Sequence, residues 1–389
     1  MLQIAGSGTV VGLAGCSGGG GDGGGGGDSG GGGDSGGGGG SGGVSDSPGE
    51  SSDSGSGSTP EKPDSITVRA WGGSWQDAFH SGIGSAFEEE TGITIEYDNT
   101  SEEVMHGRIR TALSQNRAPP VDVNWSTTPF SFRAYAADLI DPLDTNVVPN
   151  VDAMMAASKP ETDTDWPFVN LSSYVYTLSY NTDLMSEPPT SWQYWWDDAS
   201  ESSFGLYGGG GGFTPVIAEM TGTELGPAEE MQTVWDKYRS LQPTIGHIGD
   251  DTTITQSLRN GEIAGAVLIA SNTFNAQKEG APLDWTIPEE GAVAKRDALY
   301  TPRGLDEQHR HWGRVLINVA LQAQNVGTYA EQMGVAPLNP DSEVPEYMTE
   351  SAAFPTTTEQ FESLVTVDPA TFAEYGSGWS SEFSRIMQS

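Results

Sequence analysis

The 389-residue chain is poor in cysteine and lysine: one Cys, Cys16, and five Lys against twelve Arg. A lone cysteine excludes an intramolecular disulfide and any multi-cysteine metal cluster. No apolar run reaches the length of about 18 residues that a membrane-spanning helix needs. Positive charge is scarce as well, with 17 Lys+Arg against 54 Asp+Glu and a net charge of −37. Nucleic acid and anionic lipid surfaces are gripped by basic patches, so nucleic acid is excluded as a partner. No repeat of fixed period is present.

What is abundant is acid, glycine and tryptophan. Residues 65–389 alone carry 46 acidic and 16 basic side chains, a balance of −30. Such a body repels itself in dilute buffer, whereas at molar salt the Debye length falls to about 3 Å and screens that repulsion. The composition is that expected of a salt-adapted, halophilic protein. Of the 53 glycines, 23 fall in residues 17–64, among Ser and Asp. That segment buries too little to offset its ordering entropy and is expected to be a disordered tether. Before it, residues 2–15 are mostly small and apolar and lead through Leu13-Ala14-Gly15 into Cys16. This pattern resembles the lipobox of exported lipoproteins, in which the cysteine is lipidated. Residues 1–16 are therefore expected to be an export signal, with Cys16 as lipid anchor on the extracellular face of the membrane; a truncated start would account for the lack of a basic stretch before Leu2.

The tether also holds strings such as Gly39-Gly40-Ser41-Gly42-Gly43, which match a serine-nucleophile elbow. The elbow needs a rigid strand-to-helix turn and a partnered His, so the match carries no chemistry. His309 and His311 stand two apart in a helical stretch, where their rings diverge, so no metal is expected there.

From residue 65 the chain alternates strand and helix. Ile66, Val68 and Ala70 alternate with polar partners as a first strand ending at Trp71. Gly72-Gly73-Ser74 opens a helix, with Ser74 as the expected N-cap. Gly92 ends it before a strand over Ile93–Tyr97; a helix over 102–115 and a strand over Val121–Trp125 follow. Further strands are expected over Tyr174–Tyr180 and Gly265–Ala270. A Trp-rich helix is expected behind a Thr190/Gln193 capping box, and an amphipathic helix over 306–324. Alternation of this kind predicts α/β architecture with largely parallel sheets, in two lobes.

Several landmarks fall in a familiar order: Ala70-Trp71-Gly72-Gly73-Ser74-Trp75, Phe87-Glu88-Glu89-Glu90-Thr91-Gly92-Ile93, Thr190-Ser191-Trp192, and Gly291 through Leu299. With them, residues 65–345 resemble the extracellular solute-binding proteins of ABC importers, nearest the spermidine/putrescine-binding type. The resemblance implies a two-lobed, type II periplasmic-binding-protein-like fold, each lobe a mainly parallel sheet flanked by helices, with hinge strands between. Lobe 1 would comprise 65–175 with 297–345 and lobe 2 residues 176–296, with C-terminal helices over 346–389 packing on both. The implied role is capture of a small solute, polyamine or another polar or anionic compound, and delivery to an ABC permease and its ATPase. No catalysis, no cofactor and a monomer are expected. The alternative is a secreted hydrolase on the same lipid tether.

Carried over position by position, the resemblance places Trp71, Gly72, Gly73 and Ser74 on a ligand-contacting loop and Thr127 and Thr128 after the third strand. Asp297 matches a carboxylate that pairs with ammonium. Lys295 stands where polyamine binders carry an aromatic residue, Leu268 replaces another, and Gly208–Gly212 replaces an acidic loop. The crevice is therefore expected to have lost most of its aromatics and acids. The Tyr207–Phe213 loop, including Gly210, would offer backbone N–H groups to a polar or anionic solute beside Lys295 and Arg296.

Overall fold

The computed structural model describes residues 59–389 apart from residue 202. Cys16, the export signal and most of the expected tether lie outside the described residues. The end of that tether is laid on the body: the Trp312 indole donates to the Glu61 carbonyl at 2.9 Å, and Lys62 Nζ to that of Thr91 at 2.7 Å.

The chain opens with β1 (Ser65–Arg69), whose inward residues Ile66 and Val68 are buried. Gly72 and Gly73 then take positive φ, 78° and 54°, a turn that a side chain would strain. Because the turn itself starts the helix, α1 (Gly73–Phe79) has Gly72 rather than Ser74 at its N-cap. A π-helical turn over His80–Gly84 leads into α2 (Ser85–Thr91), closed by left-handed Gly92. There follow β2 (Thr94–Asp98), α3 (Glu102–Ser114), β3 (Val123–Thr127), α4 (Thr128–Ala136) and the short β4 (Ile140–Asp141).

The long strand β5 (Val169–Asn181) is buried at every residue. Beyond it lie α5 (Tyr194–Asp197), β6 (Phe204–Tyr207), α6 (Phe213–Thr221), α7 (Gln232–Leu241), β7 (Ile245–Gly249), α8 (Asp251–Arg259), β8 (Gly265–Ile269), α9 (Ala270–Lys278) and β9 (Leu283–Thr286). The expected Thr190/Gln193 box does not form. Instead the Glu290 carboxylate accepts from Ser191 Oγ and from the Trp192 N–H, and α5 is a single turn. The chain returns through β10 (Val293–Pro302), α10 (Glu307–Ala320), α11 (Ala323–Met333) and β11 (Ala336–Pro337). It closes with α12 (Glu346–Thr349), α13 (Thr358–Glu362) and α14 (Pro369–Met387).

The strands form a continuous path, β2-β1-β3-β10-β5-β8-β6-β7, with β4 on β10 and β9 and β11 on β5. Two parallel triplets, β2-β1-β3 and β8-β6-β7, flank the antiparallel pair β10 and β5. Each triplet, covered by its helices, is the sheet of one lobe, and the antiparallel pair joins them: the architecture is the two-lobed periplasmic-binding-protein fold. Among the described residues no helix is long and apolar enough to cross a membrane.

The C-terminal helix α14 touches both lobes. Arg133 of α4 donates to the Ala373 carbonyl at 2.9 Å. Toward the other lobe, the Trp379 indole donates to the Gly226 carbonyl at 2.7 Å, and Gln242 to that of Ile386 at 2.8 Å.

Candidate functional site

Parallel strands deliver their C-terminal ends, and the N-termini of the helices that follow, to one edge of a sheet, which is where α/β folds bind ligands. Here the ends of β1, β3 and β8 and the start of α8 meet the middle of β5 and β10. They enclose a cleft of about 250 Å³ lined by Trp71, Trp75, Thr127, Tyr174, Tyr176, Asp251, Ile269 and Asp297. A larger groove of about 520 Å³ shares Asp251 with it and reaches Ser74, Asn272, Asn275 and Gln332.

The aromatic wall is a row of rings at edge or tilted contact. Trp71 and Trp75 lie 6.2 Å apart, Trp75 and Tyr174 6.1 Å, Tyr174 and Tyr176 6.1 Å, and Tyr176 and Tyr207 5.2 Å. Trp71 is seated from behind by the buried Trp125 at 4.5 Å and by the Arg69 guanidinium at 4.6 Å. Arg69 is itself locked by bonds to the Trp125 carbonyl at 2.8 Å and the Thr100 carbonyl at 2.9 Å.

Two carboxylates face these rings, in different circumstances. Asp297, on β10 opposite Ser172 of β5 and Thr127 of β3, is 2% exposed. Among the described residues no donor bonds its carboxylate. Burial pushes its carboxyl well above the usual range, the Glu102 charge adds to that, and Arg69 opposes it. Asp251, first residue of α8, accepts from the Asn272 amide at 2.6 Å. Burial raises it to about 6, against that bond and the charge of Lys295.

Glu102, at the first turn of α3, organises the strand end beside them: it accepts from Ser126 Oγ at 2.7 Å and from the Thr127 N–H at 2.6 Å. Lys295 pairs across the sheet with Tyr174. Its Nζ lies 4.8 Å from the Tyr176 ring centre and 4.6 Å from that of Phe372 on α14. Burial lowers it to about 8, with Glu102 and Asp251 holding it up.

Of the residues singled out in the sequence, Trp71, Thr127 and Asp297 line the cleft, and Ser74 borders the adjoining groove. Gly72 and Gly73 shape the turn that carries Trp71, and nothing stands within 4 Å of a Cβ built on Gly73. The others sit elsewhere, Lys295 in a small adjoining cavity of about 40 Å³ with Thr128, Val293 and Phe372. Thr128 points to the hinge, bonding Asn170 at 2.7 Å and the Arg296 carbonyl at 2.9 Å. Phe213 is fully buried among Trp192, Trp196 and Phe204.

Gly210 lies under Thr214 and Tyr238, and Gly209 under Ser380 of α14. The glycine loop is therefore covered by packing, and Tyr207 reaches the cleft wall only through its contact with Tyr176. The expected loss of aromatics and acids is corrected: Trp75, Tyr174, Tyr176 and Asp251 supply both. The i, i+2 pair Tyr174/Tyr176 on one face of a hinge strand was the available signal for the wall. Ile269, not Leu268, faces the cleft because neighbouring strand residues point to opposite faces.

The family of bacterial extracellular solute-binding proteins matches residues 83–356. The putrescine-binding periplasmic protein PotF of Escherichia coli (strain K12) is 25% identical over 292 residues, 68% of this chain and 76% of that protein. Among solved structures, the Atu4243-GABA receptor superposes with a TM-score of 0.69 at 18% identity, covering 83% of this chain and 97% of its own. The spermidine/putrescine substrate-binding protein PotD of Streptococcus pneumoniae strain Canada MDR_19A gives a TM-score of 0.68 at 19% identity, covering 84% and 98%. The chain belongs to the family of bacterial extracellular solute-binding proteins.

Proposed function

We propose that this protein is the solute receptor of an ABC importer and that its solute is a small organic amine bound as a cation between the lobes. The observation that carries the choice of ligand is Asp297: a buried carboxylate with no protein donor among the described residues, set before four aromatic rings. A charge buried alone is costly, and aromatic faces attract cations, so an ammonium group satisfies both. Trp71, Trp75, Tyr174 and Tyr176 enclose the carbon chain, Asp297 takes the ammonium, and Thr127 offers a hydroxyl. The amine-binding relatives support the same reading.

Residues 65–175 with 297–345 form one lobe and 176–296 the other, hinged at β5 and β10. Closure of the lobes buries the amine, and the closed form is what the permease and its ATPase engage. Cys16 anchors the receptor by lipid to the outer face of the membrane, the tether that follows it gives it reach, and it acts as a monomer in high salt. A tethered hydrolase draws no support from the relatives, which are solute-binding proteins.

Calorimetric titration of the full chain with four-carbon amines in molar KCl tests the assignment. Asp297→Asn is expected to weaken the tightest amine by about 30-fold or more, the cost of stripping one partner from a buried charge pair. Unchanged affinity in the variant sinks the assignment of Asp297. Failure of every amine to bind sinks the ligand class.

A further inference from the structure

The two carboxylates of the cleft are not equally available, and the difference sets how many charges a solute brings. Among the described residues Asp297 has no donor partner. Asp251 already accepts from Asn272 at 2.6 Å, and Lys295 is the cation whose charge offsets it. The Lys295 ammonium also stands 4.8 Å from the centre of the Tyr176 ring, so one of the four rings that line the cleft already carries a resident cation. Phe372 closes over Lys295 at 4.6 Å, and the strand pairing of Lys295 with Tyr174 fixes its backbone on the hinge. A solute lying along the wall with one ammonium at Asp297 turns its other end toward Asp251 and the Tyr176 ring, on which the Lys295 ammonium rests from the adjoining small cavity. A second ammonium there would meet a like charge on the same ring and share a carboxylate already answered, a repulsion that low local dielectric strengthens.

Resting on the amine reading above, we infer that the cleft selects solutes bearing a single ammonium group over diamines, with Lys295 as the residue that enforces the choice. The far end of such a solute is uncharged or anionic, and the Lys295 charge beside Tyr176 draws an anionic one.

Three probes isolate charge at constant chain length: n-butylamine, 4-aminobutyrate and putrescine, titrated calorimetrically into the full chain in molar KCl. The better of the first two is expected to bind at least about tenfold tighter than putrescine. Lys295→Met, which keeps the stem volume, is expected to shrink that ratio by about tenfold or more through a gain in putrescine affinity. Lys295→Gln, with an uncharged polar end, checks the direction, and thermal unfolding confirms that both variants fold.

Putrescine as the tightest ligand of the unaltered protein overturns the selection while leaving the amine reading in place. So does a ratio that stays fixed in both folded variants. Binding of none of the three overturns both. A lead of 4-aminobutyrate over n-butylamine means that Lys295 meets a carboxylate; the reverse order means that it acts by repulsion alone, and either order supports the inference.

Discussion

Two glycine-rich turns follow strand ends in this molecule, and they have opposite fates. Gly72-Gly73 after β1 stays open, with Ser74 exposed beside it and Trp71 carried into the cleft. Gly208–Gly212 after β6 is covered: Ser380 abuts Gly209, Tyr238 abuts Gly210, and the Tyr176 ring lies against Gly212. Both turns use positive φ, so backbone freedom alone does not distinguish a ligand loop from a packing joint. What distinguishes them is what the rest of the chain lays on top, here α14 with Tyr238 of α7 and Tyr176 of β5.

The sharpest way to break the contrast is to remove the cover. Phe383 is 1% exposed, stacks edge-on against Tyr238 at 5.1 Å and touches the Gly210 site. Phe383→Ala is expected to cost about 3–5 kcal/mol, read by urea unfolding in molar KCl. Next comes a matched pair of substitutions. Gly210→Ala and Gly73→Ala both place a Cβ at positive φ, 81° and 54°. Only the former drives it into neighbours, Thr214 Oγ1 at 2.8 Å and the Tyr238 hydroxyl at 3.0 Å. The expected losses are about 2–4 kcal/mol for Gly210→Ala and about 1 kcal/mol for Gly73→Ala. Equal losses would mean that the two turns do not differ in cover.

Smaller effects separate the regions by pH. His106 in α3 is buried against the Tyr300 hydroxyl at 3.0 Å, and burial, with Arg133, Arg69 and Arg110 nearby, lowers it to about 4. A depressed histidine contributes stability above its unfolded value of 6.5 that is lost as pH falls through about 4. His106→Gln is therefore expected to flatten the fall in melting temperature over that window.

Asp251, across the cleft, has the opposite sign. Raised from 3.8 to about 6, it favours the protonated folded state, so stability is lost as pH rises through that interval. Asp251→Asn is expected to raise the melting temperature of the unliganded protein by a few degrees at pH 7. The gain should disappear below pH 4, and a gain that persists there would rule out ionisation as its cause.

Legibility in the sequence follows the same divide between local and assembled features. β1, the Gly72-Gly73 turn, the Gly92 stop and α3 were readable because alternation, caps and glycine act within a few residues. The link from Trp71 to Asp297 was readable only through resemblance. Tyr174, Tyr176 and Asp251 were not read as one site, because β5 and α8 meet only through sheet order. The Thr190/Gln193 box failed for the same reason: a carboxylate from Glu290, about a hundred residues on, took the cap's place. A one-residue parity slip turned attention to Leu268 when its neighbour Ile269 holds the wall.

The placement of β10 between β3 and β5 also bears on how this chain comes to be folded. Thr127 of β3 pairs with Asp297, and Val175 of β5 with Ala294, so the first lobe's sheet is finished only by chain emerging long after its own strands. Pairings this distant in sequence slow folding and leave strand edges bare in the interim. The incomplete lobe presents the unpaired edges of β3 and β5 until residues 293–302 arrive, and the high negative charge of the chain is then a solubilising guard for a late-closing nascent polypeptide.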